Sequence, residues 1–278
     1  MEYIVLNCRV DTKGDSVDIM IALLGELGYE AFEETEVGVT AYIKKELFKE
    51  EDLMVFKEMR KNGFAIEFNH ELMPDRNWNA LWESNFEPVT IGNKVSIRAE
   101  FHPQQKDFPY EILIQPRMAF GTGHHATTAL MMERMLEIEW NGKEVLDMGC
   151  GTGILAILAS QLGALKITAI DNDEIAVANT LQNVSINNCP TISAWRGEAS
   201  SLEGLQFEII LANINRNILL NDMQRYVASM KKDAYLLVSG FYEVDNALLK
   251  ECAFSFGLKL LKESVKDQWS CLVFQKKV

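Results

Sequence analysis

Along residues 1–72 the hydrophobic period switches between two and 3.6, and each switch marks an element. Tyr3–Val10 alternates apolar and polar positions and is rich in β-formers, which predicts a strand. Asp15–Leu27 carries Val17, Ile19, Met20, Leu23, Leu24 and Leu27 at helical spacing, with Gly28 placed to end the helix. Ala31–Glu36 and Val39–Lys44 bracket Val37-Gly38 and predict a hairpin. Glu50–Lys61 puts Leu53, Val55, Phe56 and Met59 on one face of a second helix, closed by Asn62-Gly63. Phe64–Leu72 alternates again through Phe64, Ile66 and Phe68. The order β-α-β-β-α-β predicts a small ferredoxin-like α+β domain over residues 1–72. Nothing within it has a catalytic pattern.

Residues 73–93 read as a connector. It holds Met73-Pro74-Asp75, then Trp78 and Trp82, then Glu87-Pro88. Tryptophans at i and i+4 share one helical face, which suits docking on a core or facing a substrate. A second domain, residues 94–278, opens with the short strands Lys94–Ala99 and Glu111–Gln115 and the helix Ala126–Ile138. A regular βα alternation follows: strand Glu144–Met148, helix Ile154–Gly163, strand Lys166–Ile170, helix Glu174–Asn187, strands Ile192–Trp195 and Glu208–Ala212, helix Asn217–Met230, strand Ala234–Val238 and helix Val244–Phe256. Such alternation predicts a parallel sheet covered by helices. Its end departs from the rhythm. Leu258–Val265 and Trp269–Gln275 are joined by Lys266-Asp267-Gln268, too short for a crossover helix, so these two strands must pair antiparallel.

Composition narrows the class. The chain has 278 residues, 48% apolar and 24% charged, ordinary values for a globular protein that needs no staples. The aliphatic run Ile154–Ala159 is far short of the ~20 residues of a membrane span. Met1-Glu2-Tyr3-Ile4 has no basic region ahead of an apolar stretch, so no secretory signal is expected. The five cysteines, Cys8, Cys150, Cys189, Cys252 and Cys271, are scattered and never in Cys-x-x-Cys spacing; free thiols and a cytoplasmic location are expected. Net charge is −13, which disfavours nucleic acid as a partner. Residues 1–70 hold 8 basic and 15 acidic side chains, so a quarter of the chain carries −7. That is either a solubility feature or a surface that attracts a basic partner.

The chemistry begins at Val145-Leu146-Asp147-Met148-Gly149-Cys150-Gly151-Thr152-Gly153-Ile154-Leu155, where a buried strand meets an apolar helix. Glycines there let the backbone turn sharply and approach a ligand closely. The dinucleotide fingerprint places its third glycine one residue later, where this chain has the β-branched Ile154. A nucleotide without a pyrophosphate therefore fits better than a dinucleotide. The next strand ends at Asp171, 22 residues after Gly149, where a carboxylate can accept hydrogen bonds from both ribose hydroxyls. Asp171 could instead cap the following helix, but Asp173 can do so too. The loop and the acid together point to an adenosine-type ligand at the carboxyl edge of the sheet.

Leu146-Asp147-Met148-Gly149-Cys150-Gly151-Thr152-Gly153 with Ile170-Asp171 resembles a class I S-adenosylmethionine-dependent methyltransferase, and the antiparallel end resembles that fold's reversed last strand. Three further segments narrow the resemblance: Met118–Thr128 ahead of the loop, Ala212-Asn213-Ile214 ending a strand, and Asn77-Trp78 and Leu81-Trp82 before Asn85-Phe86-Glu87-Pro88. In combination they resemble the ribosomal protein L-eleven methyltransferase family, over nearly the whole chain. The resemblance implies a Rossmann-like class I methyltransferase sheet with an antiparallel last strand, preceded by a small ferredoxin-like domain that holds the protein substrate. It implies S-adenosyl-L-methionine as cofactor, bound through Thr128, Gly149, Gly151, Asp171 and Asn213, and a basic ribosomal protein as partner of the acidic N-terminal domain. Arg117 and His125 stand where the family usually has Gly and Thr, and Asn215-Arg216 where it commonly has Leu-Ala.

Residue by residue, the Phe120–His125 loop reads as a flexible cover for bound cofactor rather than a metal site, because the adjacent His124 and His125 cannot easily face one ion. By resemblance Thr128 contacts the methionyl end of the cofactor; Thr127 or Thr128 could instead cap the helix. Asn213 ends a buried strand, where a planar amide can accept a hydrogen bond from an amine and orient its lone pair; alone it could merely make an Asx-turn. The reaction is an in-line displacement that depends on positioning. Its obstacle is the amine's proton, since at a Lys pKa near 10.4 roughly one amine in 2,500 is neutral at pH 7. Burial beside a cation lowers that pKa. Trp82 and Phe120 are candidate walls, and no strong general base is visible. The competing readings are a nicotinamide-dependent oxidoreductase, opposed by Ile154, and a non-catalytic ribosome-assembly binder, opposed by the intact loop, Asp171 and Asn213.

Overall fold

The computed structural model describes residues 3–10, 16–35, 37–61, 64–72, 87–105, 107–115 and 123–277. The chain divides into two compact units, Met1–Leu81 and Trp82–Val278. Most of the connector expected over 73–93, including Trp78 and Trp82, lies outside the described residues, as does Phe120.

In the first unit the strands are β1 (Tyr3–Val10), β2 (Ala31–Thr35), β3 (Gly38–Lys44) and β4 (Ile66–Leu72), with helices α1 (Ser16–Glu26) and α2 (Met54–Lys61). The sheet order is β2-β3-β1-β4 with every pair antiparallel, the ferredoxin-like arrangement. Leu6, Met20, Leu24, Ile43 and Phe56 make its core. The second helix starts later than its apolar pattern suggests, because Glu50–Leu53 forms a 3₁₀ turn of its own.

The second unit begins with a three-stranded sheet of β5 (Val89–Ile91), β6 (Val95–Arg98) and β7 (Tyr110–Leu113), β6 antiparallel to β5 and parallel to β7. Three residues are too few to display a period, so β5 had no sequence signal. The buried Arg98 guanidinium reaches both Glu111 carboxylate oxygens at 2.8 and 3.0 Å and holds that carboxyl below its ordinary pKa. Helix α3 (Ala126–Met135) follows, its end marked by the Trp140 indole donating to the Met135 carbonyl at 2.7 Å.

The main sheet holds β8 (Glu144–Met148), β9 (Lys166–Asp171), β10 (Ile192–Arg196), β11 (Phe207–Asn213), β12 (Met230–Tyr242), β13 (Leu258–Lys266) and β14 (Trp269–Lys276). Between them run α4 (Ile154–Gln161), α5 (Glu174–Ile186), α6 (Arg216–Ala228) and α7 (Asn246–Ser255). Strand order is β10-β9-β8-β11-β12-β14-β13. The first five strands pair in parallel, while β14 pairs antiparallel with both β12 and β13, as the short joint between the last two strands requires. Successive strand residues feed opposite faces: Val145, Ile209, Leu211 and Leu237 enter one core, and Leu146, Ile210, Ala212 and Leu236 the other. This two-sided burial is why these strands read as nearly continuous apolar runs. Strand β12 extends beyond the expected Ala234–Val238 at both ends. The polar Lys231-Lys232-Asp233 masks its beginning, where Asp233 adopts φ +59°, and Gly240 masks its end. No described helix is long and apolar enough to cross a membrane.

Candidate functional site

Parallel strands end together, so their carboxyl ends form one rim. Gly149 follows β8, Asp171 ends β9, Asn213 ends β11 and Gly240 lies near the end of β12; all four line a single cavity of about 650 Å³. Of the five residues expected at the site, Gly149, Gly151, Asp171 and Asn213 line this cavity. Thr128 is fully buried and stands behind Asn213, whose Nδ2 donates to the Thr128 hydroxyl at 3.4 Å; Thr127 lines the cavity.

The glycine loop turns through left-handed backbone at Gly149 (φ +76°), Gly151 (φ +55°) and Gly153 (φ +77°), a region that side chains other than glycine adopt only under strain. It is pinned from both sides. The Gly149 and Cys150 N–H groups donate to the Ile170 carbonyl at 2.8 and 3.1 Å. From α5, the Thr180 hydroxyl donates to the Gly151 carbonyl at 2.9 Å and the Asn183 amide to the Thr152 carbonyl at 2.8 Å. Asn183 also accepts the Gln115 N–H at 2.9 Å, and Asn187, just past the helix, accepts the Leu113 N–H at 2.8 Å, so α5 and its end tie the loop to the end of β7 and the residues after it. Burial pushes the Cys150 thiol up, which leaves it inert as a nucleophile.

Asp171 serves the loop itself: Oδ2 accepts the Gly151 N–H at 2.9 Å and Oδ1 the Asp173 N–H at 3.0 Å. A carboxylate has about four acceptor sites, so two remain for a ligand. Asp173, not Asp171, caps α5 by accepting the Ile175 N–H at 2.9 Å. Asp147, beneath the loop, is wholly buried. Desolvation pushes its carboxyl up to about 7, the Asp171 charge adds to the rise, and the Ala156 N–H donated to Oδ2 opposes it.

The orientation of Asn213 has a chemical consequence. With Nδ2 directed to Thr128, Oδ1 is a buried acceptor with no partner among the described residues. Such an atom carries a desolvation cost unless a donor arrives.

Part of the remaining lining, Trp269 above all, had no signal in the sequence. Trp269, at the start of β14, enters from the antiparallel end of the sheet. Tyr242 stacks on its indole at 4.1 Å between centroids, and His125 packs edge-on at 4.6 Å. His125 is also the cap of α3, accepting the Thr127 N–H through Nδ1, a role the sequence offered to the threonines. Ile214, Asn215, Glu198 and Arg225 also line it; Asn215 caps α6 at the Ile218 N–H, and Arg225 pairs with Asp222 at 3.1 Å. Among the described residues no group of three or more His, Cys, Asp or Glu could hold a metal ion.

Comparison with known proteins decides the family. The model of the family described as ribosomal protein L11 methyltransferase (PrmA) matches residues 15–277. The chain belongs to this family. It is 44% identical over 283 residues to the ribosomal protein L11 methyltransferase of Porphyromonas gingivalis, an overlap covering 99% of this chain and 98% of that protein. Its counterpart in Phocaeicola vulgatus is 43% identical over 281 residues, covering 99% of both. Among solved structures, the ribosomal protein L11 methylase of Lactobacillus delbrueckii subsp. bulgaricus superposes with a TM-score of 0.64 over 69% of this chain and the whole of that one, at 23% identity. That likeness shows the fold, a Rossmann-like sheet with a reversed last strand. Membership of the family makes the chain a methyltransferase, an enzyme of a class that uses S-adenosylmethionine.

Proposed function

We propose that this protein transfers methyl groups from S-adenosyl-L-methionine to amino groups, lysine side chains or the α-amine, of ribosomal protein L11 in the cytoplasm. The observation that carries the reading is the convergence of Gly149, Gly151, Asp171 and Asn213 on one cavity. The residues present suit the cofactor. The glycine loop leaves room for a close backbone approach, Asp171 keeps two acceptor sites, and Asp171 and Glu198 give part of the lining a charge that favours a cation. When bound, the cofactor supplies a methyl group activated by a sulfonium.

The chain's own residues do the rest. Asp171 and the Gly149–Gly151 turn hold the nucleoside end. Asn213 Oδ1 accepts a hydrogen bond from the entering amine and turns the nitrogen lone pair toward the cavity. Trp269, Ile214 and Met148 supply apolar wall; exclusion of water there disfavours an ammonium and releases the neutral amine that the displacement needs. Trp269 is a wall residue in addition to Trp82 and Phe120, which lie outside the described residues. The acidic N-terminal domain, 1–72, recruits the basic protein substrate, and nucleic acid is not a partner.

Intact-mass analysis of recombinant ribosomal protein L11 after incubation with enzyme and cofactor tests the activity, and each transfer adds the mass of one methyl. Calorimetry should show binding of S-adenosylmethionine and none of NAD. Asn213→Ala should lower turnover at saturating cofactor far more than it lowers cofactor affinity. A variant that loses cofactor binding yet methylates normally at saturation would reverse the role given to Asn213.

A further inference from the structure

A tight steric constraint lies at the cavity rim, where β11 leaves the sheet. Ile214 is the first residue past the end of β11, and its N–H still donates to the Ser239 carbonyl at 3.1 Å, prolonging the parallel pairing of Asn213 with Ser239. The next residue of β12, Gly240, has φ +95° and sits at an irregularity where the register against β14 shifts between Ser239 and Phe241. A β-carbon on Gly240 would lie 2.4 Å from the Ile214 carbonyl oxygen, 2.7 Å from its carbon and 2.9 Å from its nitrogen. All three atoms are backbone, so no rotamer change relieves the contact. From the other side, a β-carbon on Gly149 would lie 2.2 Å from Ile214 Cγ2. Gly149, Gly240 and Ile214 all line the cavity.

We infer that Gly240 is a positioning residue for methyl transfer: with Gly149 it clamps Ile214, and the clamped Ile214 peptide sets the angle at which the adjoining Asn213 amide meets the acceptor amine. This deepens the proposed methyl-transfer reading and rests on it. Ile214 lies against one glycine with its backbone and against the other with its side chain, and neither position has room for a β-carbon, so a side chain at position 240 must displace Ile214 along the rim. Asn213 is joined to it through one rigid peptide plane, so a shift of Ile214 becomes a shift of the amide. Misplacement of a reacting group by about 1 Å costs on the order of 100-fold in rate. Gly240 touches no reacting atom in this account and acts through Ile214. A glycine needed only for its positive φ would show no such contact. Gly257 is that case, with φ +79° and nothing within 4 Å of a built β-carbon.

The experiment compares Gly240→Ala with Gly257→Ala in the full chain. Turnover of ribosomal protein L11 is measured at saturating S-adenosylmethionine, cofactor affinity by calorimetry and folding by thermal melt. Gly240→Ala should lower kcat about 10- to 100-fold while the cofactor Kd moves less than about threefold. Gly257→Ala should melt lower but keep its kcat. Equal kcat losses in both variants, or a Gly240→Ala loss that follows cofactor affinity, overturns the clamp. If Gly240→Ala does not fold, Ile214→Val and Ile214→Ala decide together, because both trim the apolar wall but only alanine removes the Cγ2 methyl that faces Gly149. A kcat loss in Ile214→Ala with kcat kept in Ile214→Val and the cofactor Kd unchanged in both supports the clamp, and equal losses in both or unchanged turnover in Ile214→Ala overturns it. Failure of the unaltered protein to bind the cofactor or methylate the substrate would instead sink the methyl-transfer reading.

Discussion

Asp171 holds two different things at once. It fastens the glycine loop through the Gly151 N–H and keeps acceptor capacity for a ribose. Asp171→Ala should therefore weaken S-adenosylmethionine binding by about 1.5–3 kcal/mol, or roughly 10- to 150-fold. An unchanged dissociation constant by calorimetry removes Asp171 from the site. Asp147 makes a separate, pH-dependent prediction. Its folded-state pKa stands near 7, above the ordinary carboxylate value, because burial disfavours its charge. Between the unfolded and folded pKa values the native state binds the extra proton, so this group's contribution to stability falls as pH rises from about 4 to 7 and stays lost above that. Asp147→Asn cannot ionise. Its melting temperature relative to the unaltered protein should climb across that window and level off above pH 7, as thermal melts in a pH series would show. A difference that does not change with pH removes the charge from the account.

At the scale of elements, α5 is the part that holds the loop in shape. Its buried face carries Ala176 and Val177 beside polar residues, and Thr180 and Asn183, with Asn187 just past its end, are spent on backbone groups of the loop, of Leu113 at the end of β7 and of Gln115. Asn183 is 1% exposed, so Asn183→Ala strips the buried Thr152 carbonyl of its donor and the half-buried Gln115 N–H of its acceptor. The expected cost is about 1–3 kcal/mol in denaturant unfolding, accompanied by weaker cofactor binding as the loop loosens. Unfolding that matches the unaltered protein contradicts this. The other informative element is the β13–β14 hairpin. It reverses the sheet's direction and thereby carries Trp269 to the same rim as the glycine loop, where Tyr242 stacks on it.

At the scale of the molecule, the two units have separate cores and different charge. Residues 1–70 carry −7 of the −13. If that charge recruits a basic ribosomal protein, methylation of the intact substrate should weaken as salt rises, chiefly through association, since attraction between surface charges is screened over about 8–10 Å at physiological ionic strength. A chain beginning at Pro74 keeps Gly149, Asp171 and Asn213. It should bind S-adenosylmethionine normally and methylate the intact protein poorly. Full efficiency in that truncated chain would make the N-terminal charge a solubility feature only.

Local physics made much of this protein readable. The period of apolar residues distinguishes helix from strand, and a three-residue joint between the last two strands forces an antiparallel pair. The glycine loop and Asp171 were legible because one strand–turn–helix–strand unit carries both, so a spacing of 22 residues stands for a distance. What belongs to distant strands was not legible. Alternation tells which face a residue takes but not which strand lies beside it. Hence Trp269 and Gly240 surfaced as cavity lining only when β8, β11, β12 and β14 took their places in the sheet. Likewise His125 displaced the threonines as the cap of α3, and Thr128 stood behind Asn213 while Thr127 lined the cavity. Sequence determined the elements and the chemistry of the loop. Tertiary structure decided the wall around it and the orientation of the Asn213 amide, because these depend on contacts between residues scores of positions apart that only strand order brings together.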